Sequence, residues 1–219
     1  MKNSIGNMKQ QGFTLIEIAI VLVIIGLLVG GVLQGQQLIE NSRIKQAVKD
    51  INGTTIAMLA YQDRYGSLPG DDAAAAAARG SAWATGIVAG NGNGTLNASR
   101  GEIFRGRGNE STYFWQHLKA AGFIGGDPAD TGVAALPSNA WGGFMGVTVD
   151  PVYNNMIGTK VCLSNVAGTS AAGIDSTLDD GNGRTGSVRS DNGTNLVPGT
   201  GQGDVAYNED LVYTLCYRM

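Results

Sequence analysis

Four side chains lie close enough along the chain to hold a hard cation. Asp175, Asp179, Asp180 and Asn182 offer oxygen atoms in a spacing like that of a calcium loop. An EF-hand loop needs oxygen ligands at alternate positions and glycine at the sixth. With Gly181 in the glycine place, the alternate positions hold Asp180, Leu178 and Ser176, and Leu178 breaks the pattern. The four residues are calcium candidates beside a simpler reading, a solvated acidic turn. His117 is the sole histidine, so no His-rich metal site can be built. Beside Trp115 and Leu118 it reads as structural. No G-x-S-x-G elbow is present to place a nucleophilic serine. The stretch GRGNES lacks the strand-turn-helix setting of a dinucleotide loop. No catalytic residue and no cofactor is expected.

The remaining chemistry centres on Glu17. From Phe13 to Leu33 it is the only ionisable side chain. About twenty apolar residues at ~1.5 Å rise cross the ~30 Å core of a bilayer. A secretory signal has a shorter apolar region that ends at a small-residue cleavage site. Here the small residue, Gly12, lies before the run, behind a polar leader carrying Lys2 and Lys9. Those lysines keep the N-terminus cytoplasmic and put the bulk of the chain across the membrane. A carboxylate within the run costs roughly 2.5–3.5 kcal/mol on insertion scales and marks a functional position. The plainer alternative is a shallow Glu17 that reaches the headgroups.

A positive leader, Gly12, then Phe13-Thr14-Leu15-Ile16-Glu17 opening an apolar helix, resembles the class III signal of type IV prepilins and pseudopilins. The resemblance implies that a prepilin peptidase cuts between Gly12 and Phe13 and methylates the new Phe13 amine. It also implies that Glu17 pairs with the N-terminal amine of a neighbouring subunit in a fibre, which fixes axial register. An unpaired carboxylate in an apolar setting costs far more than a paired one. The implied partners are prepilin peptidase, other pilin or pseudopilin subunits, an assembly platform and the inner membrane. The implied fold is α+β: a long N-terminal helical spine under a globular domain with an antiparallel sheet. Two fibres share the signal, the type IV pilus and the pseudopilus of type II secretion, and the sequence does not separate them. A membrane-anchored enzyme or binding domain is the reading from another class.

The organisation follows from these anchors. Residues 1–12 form the leader, 13–34 the transmembrane half of the helix, 35–66 its amphipathic half, and 67–219 a periplasmic or extracellular domain. Losing Lys2 and Lys9 takes the net charge from −3 to −5, which is not a nucleic-acid-binding balance. Cys162 and Cys216 would face an oxidising compartment, where a disulfide is expected, the alternative being two buried thiols. Ile44, Val48, Ile51, Thr55, Met58 and Tyr65 mark the apolar face of the amphipathic half, with a gap near Gln62. Gly66 and Pro69 stop the helix. A helix-breaking proline found in many type IV pilins is missing from the apolar half. Gly30, Gly31 and Gly35 stand there instead, either loosening the helix or allowing close helix packing.

Asp71 or Asp72 would cap a short helix through the alanine run. The stretch GIVAGNGNGTLNASRG reads as an exposed loop or hairpin. NESTYFWQHLKAAGFIGG reads as a helix capped by Asn109 or Ser111, with Phe114, Trp115, Leu118 and Ala121 buried and Gly122 at its end. Strands are expected over 144–149, 159–163 and 212–217. SAAGIDSTLDDGNGRTGSVRSDNG resembles loops of some long pilin-like proteins.

Overall fold

The computed structural model describes residues 13–76, 79, 83, 86–192, 197–204 and 206–219. The leader 1–12, and Gly12 with it, lies outside the described residues. The chain divides into two compact units, 1–40 and 41–219. One helix, α1 (Leu15–Tyr65), supplies both.

In the first unit, α1 is unbroken through Gly26, Gly30, Gly31 and Gly35. A Cβ added at any of the four meets nothing within 4 Å, so no packing inside this chain requires them. The side chains from Phe13 to Ile39 are exposed, and the helix is long and apolar enough to cross a membrane.

In the second unit, α1 buries Ala47, Ile51, Thr54, Ala57, Met58 and Tyr61. Ile51 and Met58 were expected on this face. Ile44, Val48 and Tyr65, also expected there, are half-buried against the same core, Tyr61 closes the gap near Gln62, and Thr54 takes the place of Thr55. The seam steps by three and four residues, the spacing that keeps one helical face inward. Gly66 adopts φ +69° and donates its N–H to Gln62 O at 2.8 Å, a left-handed stop that a side chain would strain.

Among the described residues the sheet has four antiparallel strands: β1 (Met145–Thr148), β2 (Lys160–Ala167), β3 (Val188–Asp191) and β4 (Val212–Arg218). Their spatial order is β1-β2-β4-β3. α2 (Glu110–Ala120) follows the helix and the loops after it, and α3 (Gly168–Leu178) leaves β2 without a loop. The α+β, type IV pilin-like architecture is therefore present. β2 is buried at nearly every position, because both of its faces are covered. Its register with β4 shifts between Leu163 and Val166, where Asn165 takes φ +60°. Asparagine tolerates that conformation, and such a bulge bends the strand. The core joins Ile51 and Tyr61 of α1, Phe114, Trp115 and Leu118 of α2, and Val161, Leu163 and Leu215 of the sheet.

The structure corrects four expectations. The alanine run is a turn over its described part, 73–76, because Asp72 Oδ1 accepts the Ala74 N–H only two residues on. The Gly-Asn stretch is a loop and no hairpin, and Ile87, Leu96 and Ala98 within it are buried. Two carboxylates hold it inward: Asp71 accepts from Asn93 and Gly94 N–H, and Glu110 from Asn91 and Asn97 N–H. The segment read as loops contains α3 and β3. Ala121 is only half-buried, at the C-cap of α2. The rest of α2 follows the sequence: Asn109 accepts the Thr112 N–H, and Gly122 turns the chain at φ +74°.

Candidate functional site

The N-terminus of α1 is built as a capping box. Thr14 stands at the N-cap and Glu17 three residues on. Glu17 Oε2 accepts the Thr14 N–H at 2.8 Å and the Thr14 hydroxyl at 2.7 Å. Thr14 Oγ1 in turn accepts the Glu17 N–H at 3.3 Å. Helix starts leave their first N–H groups unsatisfied, and this reciprocal pair satisfies two donors. The carboxylate also sits at the positive end of the helix dipole. Both bonds end on Oε2, so one oxygen anchors the carboxylate to the cap. Phe13, directly before the cap, is 85% exposed. The T-x-x-E spacing of Thr14 and Glu17 is the sequence signal of such a cap.

Cys162 and Cys216 form a disulfide. They face each other in register across β2 and β4, and both are fully buried with Ile103, Val152 and Met156.

The acidic cluster is assembled by the turn between α3 and β3. Oxygen atoms of Asp175, Asp179 and Asp180 lie within 4.8 Å of one another. Each carboxylate already has donors from the chain. Asp175 accepts from Gly181 N–H at 3.1 Å and from the Tyr207 hydroxyl at 2.5 Å. Asp179 accepts from Ser187 and Val188 N–H. Asp180 accepts from Asn182 N–H and the Thr185 hydroxyl, and Asn182 Oδ1 from Arg184 N–H. These bonds shape the turn that brings β3 back to the sheet. Asp175 is fully buried, while Asp180 is exposed, so the solvated turn expected from the sequence holds for its outer part only. Burial pushes its carboxyl up to about 6, against the hydrogen bonds from Tyr207 and Gly181. A cation here would compete with donors already in place.

His117 is fully buried and bonded through both ring nitrogens to backbone, which accounts for it structurally. Lys160 is fully buried as well. Its ammonium donates to the carbonyls of Val149 and Gly158, and burial lowers it to about 8.

Residues 7–33 match the family model of the prokaryotic N-terminal methylation motif, the signature of type IV pilins and pseudopilins. The match covers Gly12, Phe13, the capping box and the apolar part of α1. No curated protein matches the chain with significance. The motif is thus that of type IV pilins and pseudopilins, and the long N-terminal helix with an antiparallel four-strand sheet is consistent with a type IV pilin-like fold.

Proposed function

We propose that the chain is a structural subunit, a pilin or minor pilin, of a type IV pilus. It is made as a prepilin with residues 1–12 as leader, cut by prepilin peptidase between Gly12 and Phe13, and methylated on the Phe13 amine. Before assembly it crosses the inner membrane once through residues 13–34, N-terminus inside and domain 67–219 on the periplasmic side. It then enters a fibre with other subunits through an assembly platform.

The observation that carries this reading is the capping box inside the matched signature. Thr14 holds Glu17 at the helix mouth through Oε2, and the carboxylate pairs there with the methylated Phe13 amine of a neighbour. The internal cap offsets part of the cost of the carboxylate in the membrane, and the neighbouring amine completes the pairing in the fibre. The disulfide near the C-terminus favours a pilin over the alternative, a pseudopilin of type II secretion.

Mass spectrometry of protein from peptidase-competent cells tests the reading. The expected N-terminus is Phe13 carrying one added methyl. An intact Met1 start, or a cut after the apolar run, overturns it.

A further inference from the structure

The imidazole of His117 is fully buried on α2. Its two nitrogens bind two different loops. Nδ1 accepts the Gly70 N–H at 2.9 Å. Nε2 lies 2.8 Å from the Val88 carbonyl oxygen. A backbone N–H can only donate and a carbonyl can only accept. The ring is therefore neutral and carries its proton on Nε2. A second proton would have to go on Nδ1, where it would point at another donor.

The two loops are also tied to each other. Gly90 N–H donates to Asp72 O at 3.1 Å and Gly92 N–H to Asp71 O at 2.8 Å. The Asp71 carboxylate takes the N–H groups of Asn93 and Gly94. His117 thus stands where the paired segments around Gly70 and Val88 both meet α2. The contact is close: a Cβ at Gly70 would lie 2.5 Å from Glu110 O. The same segments line a cleft of about 410 Å³ through Ser67, Leu68, Asp71, Gly92 and Gly94.

We propose that His117 is a proton-operated latch: neutral, it locks the segments around Gly70 and Val88 onto α2, and protonation breaks the Gly70 bond and releases them. The groups facing the ring do not cancel this. From α1, Tyr61 stacks on the ring at 6.1 Å. From the segment after α1, Asp72 favours the imidazolium and Arg79 opposes it, and the two are themselves ion-paired at 2.7 Å. Trp83 adds an apolar wall at 6.1 Å. Burial, first, holds the ring below its ordinary range, and the Val88 bond and Asp72 pull it back only in part. The unfolded chain therefore takes up the proton first. The latch's contribution is complete at neutral pH and is lost as pH falls below the ordinary imidazole range.

The sole histidine makes the test direct. Full-length protein in detergent micelles, labelled with ¹⁵N in the imidazole, is titrated from about pH 8 to about pH 4.5, a span that brackets the unperturbed imidazole. Hydrogen exchange, corrected for its intrinsic pH dependence, is followed over the same range. The expected ring spectrum is the neutral Nε2–H form, with a midpoint below that of an exposed histidine. Peptides covering 66–72 and 86–94 should lose at least about tenfold protection through that midpoint while β2 and β4 keep theirs. His117→Asn offers an acceptor near the Nδ1 position and does not titrate, so the loss with pH should vanish in it. A ring protonated on Nδ1, an ordinary midpoint, or the same local loss in His117→Asn overturns the latch. If His117→Asn does not fold, the wild-type ring spectrum and exchange decide alone.

Discussion

Cys162 and Cys216 are direct cross-strand partners: β2 and β4 place their Cα atoms 4.0 Å apart, and the bond between them is sealed from solvent. The bridge closes a loop with a sequence separation of 54 residues. In the chain-entropy model such a loop contributes about 4 kcal/mol. Replacing both cysteines by alanine should lower the unfolding free energy by about that amount, read from urea denaturation of the full chain in detergent. Non-reducing peptide mapping should recover the linked pair. Quantitative thiol labelling without reductant would remove the bridge from the account.

Thr14 and Glu17 make separable predictions. Glu17→Ala should leave inserted subunit equal to wild type or higher, because it removes the insertion cost. Fibre yield should fall in the order wild type, Glu17→Asp, Glu17→Ala. Thr14→Val keeps the carboxylate but removes the hydroxyl, a loss of about 1 kcal/mol at the cap. It should lower fibre yield to an intermediate level, and Thr14→Ser should restore it. Immunoblots of membrane and sheared fibre fractions measure both. Wild-type fibre from Glu17→Ala would leave the shallow-headgroup reading in place of the paired charge.

Asp175 predicts a pH dependence opposite in sign to that of His117. Its folded value of about 6 lies above the ordinary value of 3.8, so the folded state holds the proton more tightly. Its contribution is fully present below the unfolded value and is lost as pH rises through about 6. The shift sets a ceiling of about 3 kcal/mol. Asp175→Asn should remove the rise in urea midpoint that this carboxyl is expected to contribute between neutral pH and about pH 5. Parallel midpoints in variant and wild type would refute the assignment.

Two glycines should respond in opposite directions to alanine. Gly53 is exposed within α1, and a Cβ there meets nothing within 4 Å. Gly53→Ala should stabilise by about 0.5–1 kcal/mol. Gly146 lies in β1, and its Cβ would come 2.6 Å from Ile103 O. Gly146→Ala should destabilise by about 1–3 kcal/mol, since backbone cannot step aside as a side-chain tip can. Thermal unfolding of both variants in one detergent separates the outcomes.

The parts legible in sequence were those with local signals. The apolar run, the Gly66 stop and the Asn109 cap each follow from a few neighbouring residues, and α1 and α2 lie where those residues put them. Three of the four strands stood out by their β-branched and aromatic content, as around Val161 and Tyr213. α3 was hidden because Ala167 offers no side-chain cap and its segment is rich in glycine, serine and threonine. Its helix is held by tertiary contact, with Gly173 giving room to Ile44 of α1 and Gly168 donating to Leu211 O. β3 was hidden because four residues around Arg189 carry little pattern, and only its pairing with β4 defines it. The inward hold of Asp71 and Glu110 on the Gly-Asn loop spans 19 to 23 residues for Asn91, Asn93 and Gly94, beyond the reach of a local rule.

The strand order carries a consequence for how the chain is made. β4 follows the other three described strands in the chain, yet it lies between β2 and β3. Until residues 212–218 emerge, β3 has no neighbour, β2 has only β1, and Cys162 has no thiol to meet. A ribosome or a translocation pore therefore delivers a chain whose sheet is still open, and the strand that arrives last closes it and brings the two sulfurs together. The price is a period in which the edges of β2 and β3 are unprotected and can pair with another chain. Folding quality is thus decided when residues 212–218 arrive, and a chain released before Val212 would lack the centre of its sheet, not just one of its margins.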